Sequence, residues 1–397
     1  MSLRRLYRGL DHTLLTAAGL TLVIGLVVIG SASTDYEWWM MLGMDIHRLQ
    51  EASLLERLLW MKKEYAFRQF FWILFSLILM AAVIYIPYED LQKYTRSIYL
   101  LNLVLLVMVI FIGSEVMGAQ RWIQIGPLTL QPSEFAKVMI IITFASFLAE
   151  REGKLNRLRD LAPCFIHVGI PMLLILNQPD LGTSLVFIAI MFGMLFASGA
   201  RPLLVGGLLT AGVAAAIGLV WAHLKFGTWI PLKEYQLTRL TIFLDPWSDW
   251  QGAGYHMIQS KIAIGSGGLW GKGLLGGTQS FFDFLPIRHT DFIFSVVGEE
   301  FGYLGALVML GLLFLIIYRG LRIAAEAKDR FGMLLAVGIS SMLTFHVLVN
   351  VGMTVGIMPI TGLPLPFISY GGSNMMTNII ALGILLNIYA RRQKIMF

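Results

Sequence analysis

The sequence predicts an all-α, polytopic integral membrane protein of about ten transmembrane helices, with a long extracytoplasmic segment between the seventh and the eighth. Three observations carry this. Of 397 residues, 57% are hydrophobic and only 14% charged, with a mean hydropathy of +0.73, whereas a soluble domain is about a quarter charged. The apolar residues fall into runs long enough to cross a bilayer as helices, which satisfy their own backbone groups. The basic residues gather in short clusters between alternate runs, so the net charge of +6 reads first as a topology signal rather than as nucleic-acid binding. Disorder, a collagen-like chain and a disulfide scaffold are excluded, and the lone Cys164 leaves no internal disulfide to form.

In order, the runs are Leu14–Ala32, Phe70–Ile86, Ile98–Ile112, Ala136–Leu148, Leu161–Leu176, Ser184–Ala197, Pro202–Trp221, Phe301–Tyr318, Phe331–Val349 and Met375–Tyr389. Pro163, Pro171 and Pro202 lie in or beside them, which predicts kinks or partial unwinding. Polar sequence, not a small-residue cleavage site, follows the first run, so it reads as a retained span. With alternate connections assigned to opposite sides, one side receives the clusters Arg4–Arg8, Lys93–Arg96, Arg151–Arg159, Arg201, Arg319–Arg330 and Arg391–Lys394. The short loops of the other side are nearly bare of charge. Both termini are therefore expected in the cytoplasm. No repeat and no linker divides the chain, so residues 1–397 read as one membrane domain with two outer segments. Thr34–Arg68, with Trp38, Trp39 and Trp60, reads as interfacial helix anchored on the outer leaflet. The other is His223–Ser295.

Charged groups near a membrane core are costly, ~2.5–3.5 kcal/mol at a helix centre, so their positions are informative. They collect at the outer ends of the spans in four places: Arg121-Trp122 running into Gln131-Pro132-Ser133-Glu134 and Lys137; Gln178-Pro179-Asp180; Asp283 through His289-Thr290-Asp291 to Glu299 and Glu300; and Pro364 through Ser369-Tyr370-Gly371-Gly372-Ser373. Glu134 and Lys137 are three apart and share a helix face, either as a structural ion pair or as part of a site if a third polar group converges on them. Asp291 falls where a helix is expected to begin, either as a cap or, partly desolvated beside a lysine, as a base.

Other signals are weak. Gly271-x-Gly273-x-x-Gly276 matches a dinucleotide pattern, but no strand precedes it, and a Walker A motif fails on Ser266 and Gly273. The glycines there more simply allow outer-loop and re-entrant backbone to pack closely. The histidines are scattered without metal-ligand spacing, which leaves a carboxylate-held divalent cation on Asp180 or Glu134 as the only metal worth considering.

Taken together, RWIQIG with QPSEFAK, QPDLGT, FLP with HTDFIF, and LPLPFISYGGS, in this order among ten spans, closely resemble the SEDS family, from about Asp11 to Arg392. Gly277-Thr278-Gln279-Ser280 and Gln131-Pro132-Ser133-Glu134 are most similar to its rod-shape branch. The resemblance implies a peptidoglycan glycosyltransferase that polymerises lipid II into glycan strands at the outer face of the bacterial cytoplasmic membrane, working with a class B penicillin-binding protein as transpeptidase. It implies catalytic roles for Asp291, Lys137 and Glu134. Substrate binding would fall to Arg121, Trp122, Gln131, Asp180, Asp283, Ser369, Gly371 and Gly372. Two departures stand out: Ile287 and Arg288 replace the family's LPE glutamate, with Asp283 expected to cover part of its role, and Asn374 follows the YGGS run. The chemistry needs a base for the acceptor's 4-hydroxyl, for which Asp291 is the candidate, and cations for the departing pyrophosphate, for which Lys137 and Arg121 are the candidates. Rival readings are a lipid II flippase, which predicts ionisable groups through the depth of the spans, and a non-catalytic activator of the transpeptidase, in which Asp291 merely caps a helix.

Overall fold

The structure is a computed structural model describing residues 9–41, 52–116, 119–126, 128–230, 233–250, 252–285 and 287–392. Arg4, Arg5, Arg8, Lys394 and Pro286 lie outside the described residues. Among those described, nine helices are long and apolar enough to cross a membrane, and Leu181–Ala197 is a shorter apolar tenth.

The chain opens with α1 (His12–Ala32), then the short α2 (Tyr36–Met41) and α3 (Leu54–Trp60), α4 (Glu64–Tyr85), α5 (Tyr88–Lys93) and α6 (Thr95–Ile112). Three short strands follow, β1 (Ser114–Val116), β2 (Ala119–Ile125) and β3 (Leu128–Leu130), as an antiparallel sheet. Next come α7 (Pro132–Ala149), α8 (Leu158–Asn177), α9 (Leu181–Ala197) and α10 (Pro202–Phe226). The long connection holds α11 (Glu234–Leu244), α12 (Ala253–Ser266) and α13 (Thr278–Phe281). The chain ends in α14 (Ile293–Ala325), α15 (Arg330–Val355) and α16 (Gly372–Ala390). All ten expected runs lie in helices, allowing for single-residue differences at their ends.

The centre of the bundle is α7, α15 and α16, most of whose residues are buried, whereas α10 buries only Val205. α8 runs as one helix through both Pro163 and Pro171. The sharp break lies instead in α14, at Gly302, with φ 65° and ψ −164°. Open backbone at membrane depth needs partners from the protein, and the glycine-rich segment supplies them. Lys272 N donates to Glu299 O (3.0 Å), Gly273 N to Glu300 O (2.8 Å), and Tyr303 N to Gly268 O (2.8 Å). A Cβ on Gly271 would lie 2.2 Å from Glu300 O, so only glycine permits this approach. The Gly265–Gly273 run is thus the seam of a helix break.

Within Thr34–Arg68, Trp39 departs from the expected lipid anchor. Trp39 is fully buried in a small second core with Met61, Leu274, Leu275 and Phe281. Its ring stands edge-on to Trp60 at 5.5 Å and to Phe281 at 6.1 Å. Arg57 ties the same region across the chain by donating to Leu274 O (2.9 Å). The tryptophan is packed within the protein because the long connection between α10 and α14 folds back over it.

Candidate active site

A cavity of about 530 Å³ opens where four helices begin. Gln131, Asp180 and Gly371, which precede the first residues of α7, α9 and α16, all line it, and Asp291 lines it just before the start of α14. The first turn of a helix presents unpaired N–H groups and a partial positive charge. Of the four, only α9 has a side-chain cap, from Asp180 to Thr183 N (3.1 Å). The starts of α7, α14 and α16 have none. A cavity walled by helix N-termini favours anions such as phosphate.

On the α7 side, Lys137 and Glu134 are buried, their side chains 1% and 5% exposed. Lys137 Nζ donates to both Glu134 carboxylate oxygens at 2.9 Å and lies 3.0 Å from His346 Nε2. His346 Nδ1 lies 3.1 Å from Pro364 O, which accepts its proton and leaves Nε2 to accept from the ammonium. Glu134 lines the cavity, and Lys137 stands behind it. Next to them Asp180 is buried, with Thr183 Oγ1 at 2.9 Å, Gln131 Nε2 at 3.4 Å and Arg121 Nη1 at 3.8 Å. The sheet swings Arg121 and Trp122 over the bundle. Arg121 is fixed there by donating to the carbonyls of Gln178 (2.9 Å) and Pro179.

Opposite lies Asp291. The N-cap position of α14 is Phe292, with no side-chain cap, so Asp291 is not the expected cap. Its backbone carbonyl accepts from Asn350 Nδ2 (2.9 Å), which also donates to Leu363 O (2.8 Å) and fixes the loop to the start of α14. Burial pushes the Asp291 carboxyl above the usual carboxylate range. The Arg239 guanidinium, a hydrogen bond with Thr290 and the charge of Arg121 pull it back. The cations acting on Asp291 are therefore Arg239 and Arg121, not the expected Lys137, whose ammonium is committed to Glu134 and His346.

Of the expected site residues, Asp291, Glu134, Arg121, Trp122, Gln131, Asp180, Gly371 and Gly372 all line the one cavity. Three do not. Lys137 stands behind Glu134, bonded to both its oxygens. Asp283 is 75% exposed and paired with Arg288, outside the cavity lining. Ser369 is fully buried and braces two loops, accepting from Leu365 N (2.8 Å) and donating to Thr290 O (2.7 Å). Sequence reasoning missed Arg239, Thr183 and Tyr370, and left His289 out of the site. His289 and Tyr370 sit inside quoted motifs. Arg239, on α11, carries no local signal at all.

The residues present do not make a ready divalent site. Both Glu134 oxygens are taken by Lys137, and both Asp180 oxygens by Thr183. Among the described residues, no three His, Cys, Asp or Glu side chains group so as to hold a metal.

The chain matches the FtsW/RodA/SpoVE family, described as cell cycle proteins, over residues 11–394. It is 42% identical to the peptidoglycan glycosyltransferase MrdB of Escherichia coli K12, across 80% of this chain and 84% of that one. It is 36% identical to the peptidoglycan glycosyltransferase RodA of Treponema pallidum, across 82% and 89%. Among solved structures, it resembles a chain from a structure on the coordination of polymerization and crosslinking by a peptidoglycan synthase complex (TM-score 0.76, 32% identity, 96% and 98% covered). The rod-shape-determining protein RodA of Thermus thermophilus matches with TM-score 0.66, 28% identity and coverage of 97% and 98%. The order of the motifs, the polytopic helical fold and these likenesses agree: this chain belongs to the FtsW/RodA/SpoVE family, on its RodA side, and is a multi-pass membrane protein.

Proposed function

We propose that this protein polymerises lipid II into glycan strands at the outer face of the bacterial cytoplasmic membrane during cell elongation, with both termini cytoplasmic and a class B penicillin-binding protein as its crosslinking partner. It is a peptidoglycan glycosyltransferase, in keeping with its relatives' activity. The observation that carries the proposal is the union of Asp291, Arg121, Arg239 and four helix N-termini around one cavity. A carboxylate, cations and backbone donors at the ends of spans suit a lipid-anchored sugar pyrophosphate that reacts without leaving the bilayer.

In the reaction, the acceptor's 4-hydroxyl attacks C1 of the donor sugar while Asp291 takes the hydroxyl proton, a positioned base contributing typically about 10²–10⁴-fold. The new C1–O bond forms as the bond to pyrophosphate breaks, and the electron pair leaves with the polyprenyl pyrophosphate. Arg121, Arg239 and the uncapped N-termini of α7 and α16 stabilise the charge that develops there. An α-linked donor giving a β-linked product inverts by this single displacement and needs no enzyme nucleophile. Glu134, neutralised by Lys137, and Asp180, capping α9, hold the wall in shape.

The test gives purified protein, with its partner transpeptidase blocked by a β-lactam, labelled lipid II and separates the products on a gel. Polymer ladders from wild type that vanish in Asp291→Ala, with folding and partner binding intact, support the proposal. Precursor movement across liposomes without polymer favours a flippase, and no polymer under any condition favours a non-catalytic activator.

A further inference from the structure

The cavity has two chemically distinct walls. One is charged: Arg121, Asp180 and Glu134, beside the starts of α7 and α9. The other carries rings that the reaction scheme above does not use. His289 and Tyr370 line the cavity, and Tyr65 of α4 packs against both, at 4.8 Å from the His289 ring and 5.0 Å from Tyr370. The His289 and Tyr370 rings are 5.8 Å apart and inclined at 64°. All three residues are half-buried, not enclosed.

The backbone beneath the rings is tied to two other elements. Tyr370 N donates to His289 O (3.0 Å), joining the two motif loops. Gln69 of α4 accepts from Gly371 N (3.2 Å) and donates to Ser369 O (3.4 Å). The rings are therefore presented in a fixed arrangement, with His289 two residues before Asp291 and Tyr370 bonded to the His289 backbone.

The geometry points to the His289–Tyr370 wall, backed by Tyr65, as the acceptor-sugar subsite: it takes the C–H face of the pyranose whose 4-hydroxyl Asp291 deprotonates. This rests on the glycosyltransferase reading and deepens it. Aromatic faces offer flat apolar surface at low entropic cost, which suits the C–H face of a sugar and gives nothing to a pyrophosphate. The donor's pyrophosphate matches Arg121, Arg239 and the uncapped helix starts instead. The acceptor hydroxyl must lie within hydrogen-bond reach of its base, and His289 of the ring wall shares a loop with Asp291. Burial, assisted by Arg288, lowers the His289 pKa, so the ring stays neutral and does not weaken Asp291 as a base.

The experiment separates the two substrates. Full-length protein with its transpeptidase partner receives a donor-only lipid II analogue, epimerised at the terminal 4-hydroxyl, and an acceptor-only disaccharide lacking pyrophosphate, and single transfers are counted. His289→Leu and Tyr370→Leu keep apolar bulk without the ring. Each is expected to raise the acceptor KM about tenfold, the scale of 1.4 kcal/mol, with kcat and donor KM within about twofold. His289→Phe and Tyr370→Phe, which keep a ring, are expected to stay near wild type. Unchanged acceptor KM in the Leu variants, or equal rises for donor and acceptor, overturns the subsite while leaving the enzyme reading intact. Absence of transfer by wild type contradicts the enzyme reading and the subsite with it. Should the Leu variants fail to fold, His289→Gln and Tyr370→Gln, which keep bulk without a ring, decide: a tenfold rise in acceptor KM with donor KM unchanged supports the ring wall, and an unchanged acceptor KM overturns it.

Discussion

Glu134 and Asp291 are carboxylates lining the same cavity, and the protein keeps them in opposite ways. Glu134 is held by a lysine at 2.9 Å on both oxygens, and that lysine is held in turn by His346. Among the described residues, Thr290 and the charges of Arg239 and Arg121 are set against the burial of Asp291, and its carboxyl stays above the usual range. A fully paired carboxylate is a poor proton acceptor, because its charge is already spent on its partner; a partly desolvated one with few partners is a better base. In the mechanism proposed above, this difference gives Glu134 to architecture and Asp291 to chemistry. It also teaches that two groups with equal claims in sequence are told apart by their neighbours.

The comparison can be broken most forcefully at the paired site. Lys137→Met leaves the Glu134 charge buried and unpaired, and is expected to cost about 3–5 kcal/mol, read as a large fall in Tm in detergent. The double variant Glu134→Gln/Lys137→Met is expected to regain most of it, since replacing both members of a buried pair is often nearly neutral. Failure of the double variant to recover would mean that Lys137 has a partner beyond Glu134 that matters more.

Next in size is the helix break. Gly302→Ala forces a side chain into a backbone conformation restricted to glycine and puts a Cβ 2.3 Å from Gly271 N. About 1–3 kcal/mol or more of destabilisation is expected, with a drop in polymerisation as the start of α14 shifts under Asp291; thermal unfolding and the gel assay read the two effects.

At the sparsely partnered site, Arg239→Gln removes a charge that lowers the Asp291 pKa. The carboxyl then rises further, so the acid limb of kcat/KM moves to higher pH, and the rate at neutral pH falls about tenfold as the leaving pyrophosphate loses a cation. In wild type the same limb is expected above the ordinary carboxylate range, because Asp291 must be ionised to accept a proton and burial opposes its ionisation. A pH–rate profile checks both. The smallest effect is expected at Asp283→Ala: its carboxylate is largely exposed and paired with Arg288 away from the cavity, and such surface pairs contribute about 0–1 kcal/mol. Polymerisation should change by less than about twofold.

Much of this was legible in sequence, for reasons particular to a bilayer. The spans were readable because lipid requires continuous apolar helix. The Glu134–Lys137 pair was readable because three residues of helix put two side chains on one face. The break at Gly302 was not, since a glycine in an apolar run looks like any other, and what opens the helix is a set of backbone bonds to residues some thirty positions earlier. Arg239 was hidden for a similar reason. Its role depends on where α11 docks, which no local pattern encodes. Asp283 was expected in the site because the resemblance puts an acidic residue just before the LPE position, but here it pairs with Arg288 outside the cavity lining; Ser369 shows that a motif residue can brace a loop without lining the cavity. Trp39 shows the limit of composition: an aromatic beside a span resembles a lipid anchor until the chain folds over it.

The central claim is that the sparsely partnered carboxylate does the chemistry, and Asp291→Asn measured for both polymer and stability tests it most directly. A carboxyl whose folded pKa lies above its unfolded value costs stability at pH values above both, so removing its charge relieves strain at neutral pH. The account predicts that Asp291→Asn loses polymerisation of lipid II by about 10²-fold or more, with Tm equal to or above that of wild type. Retained polymerisation in this variant, or a loss of activity matched by a loss of Tm as in Lys137→Met, would contradict it.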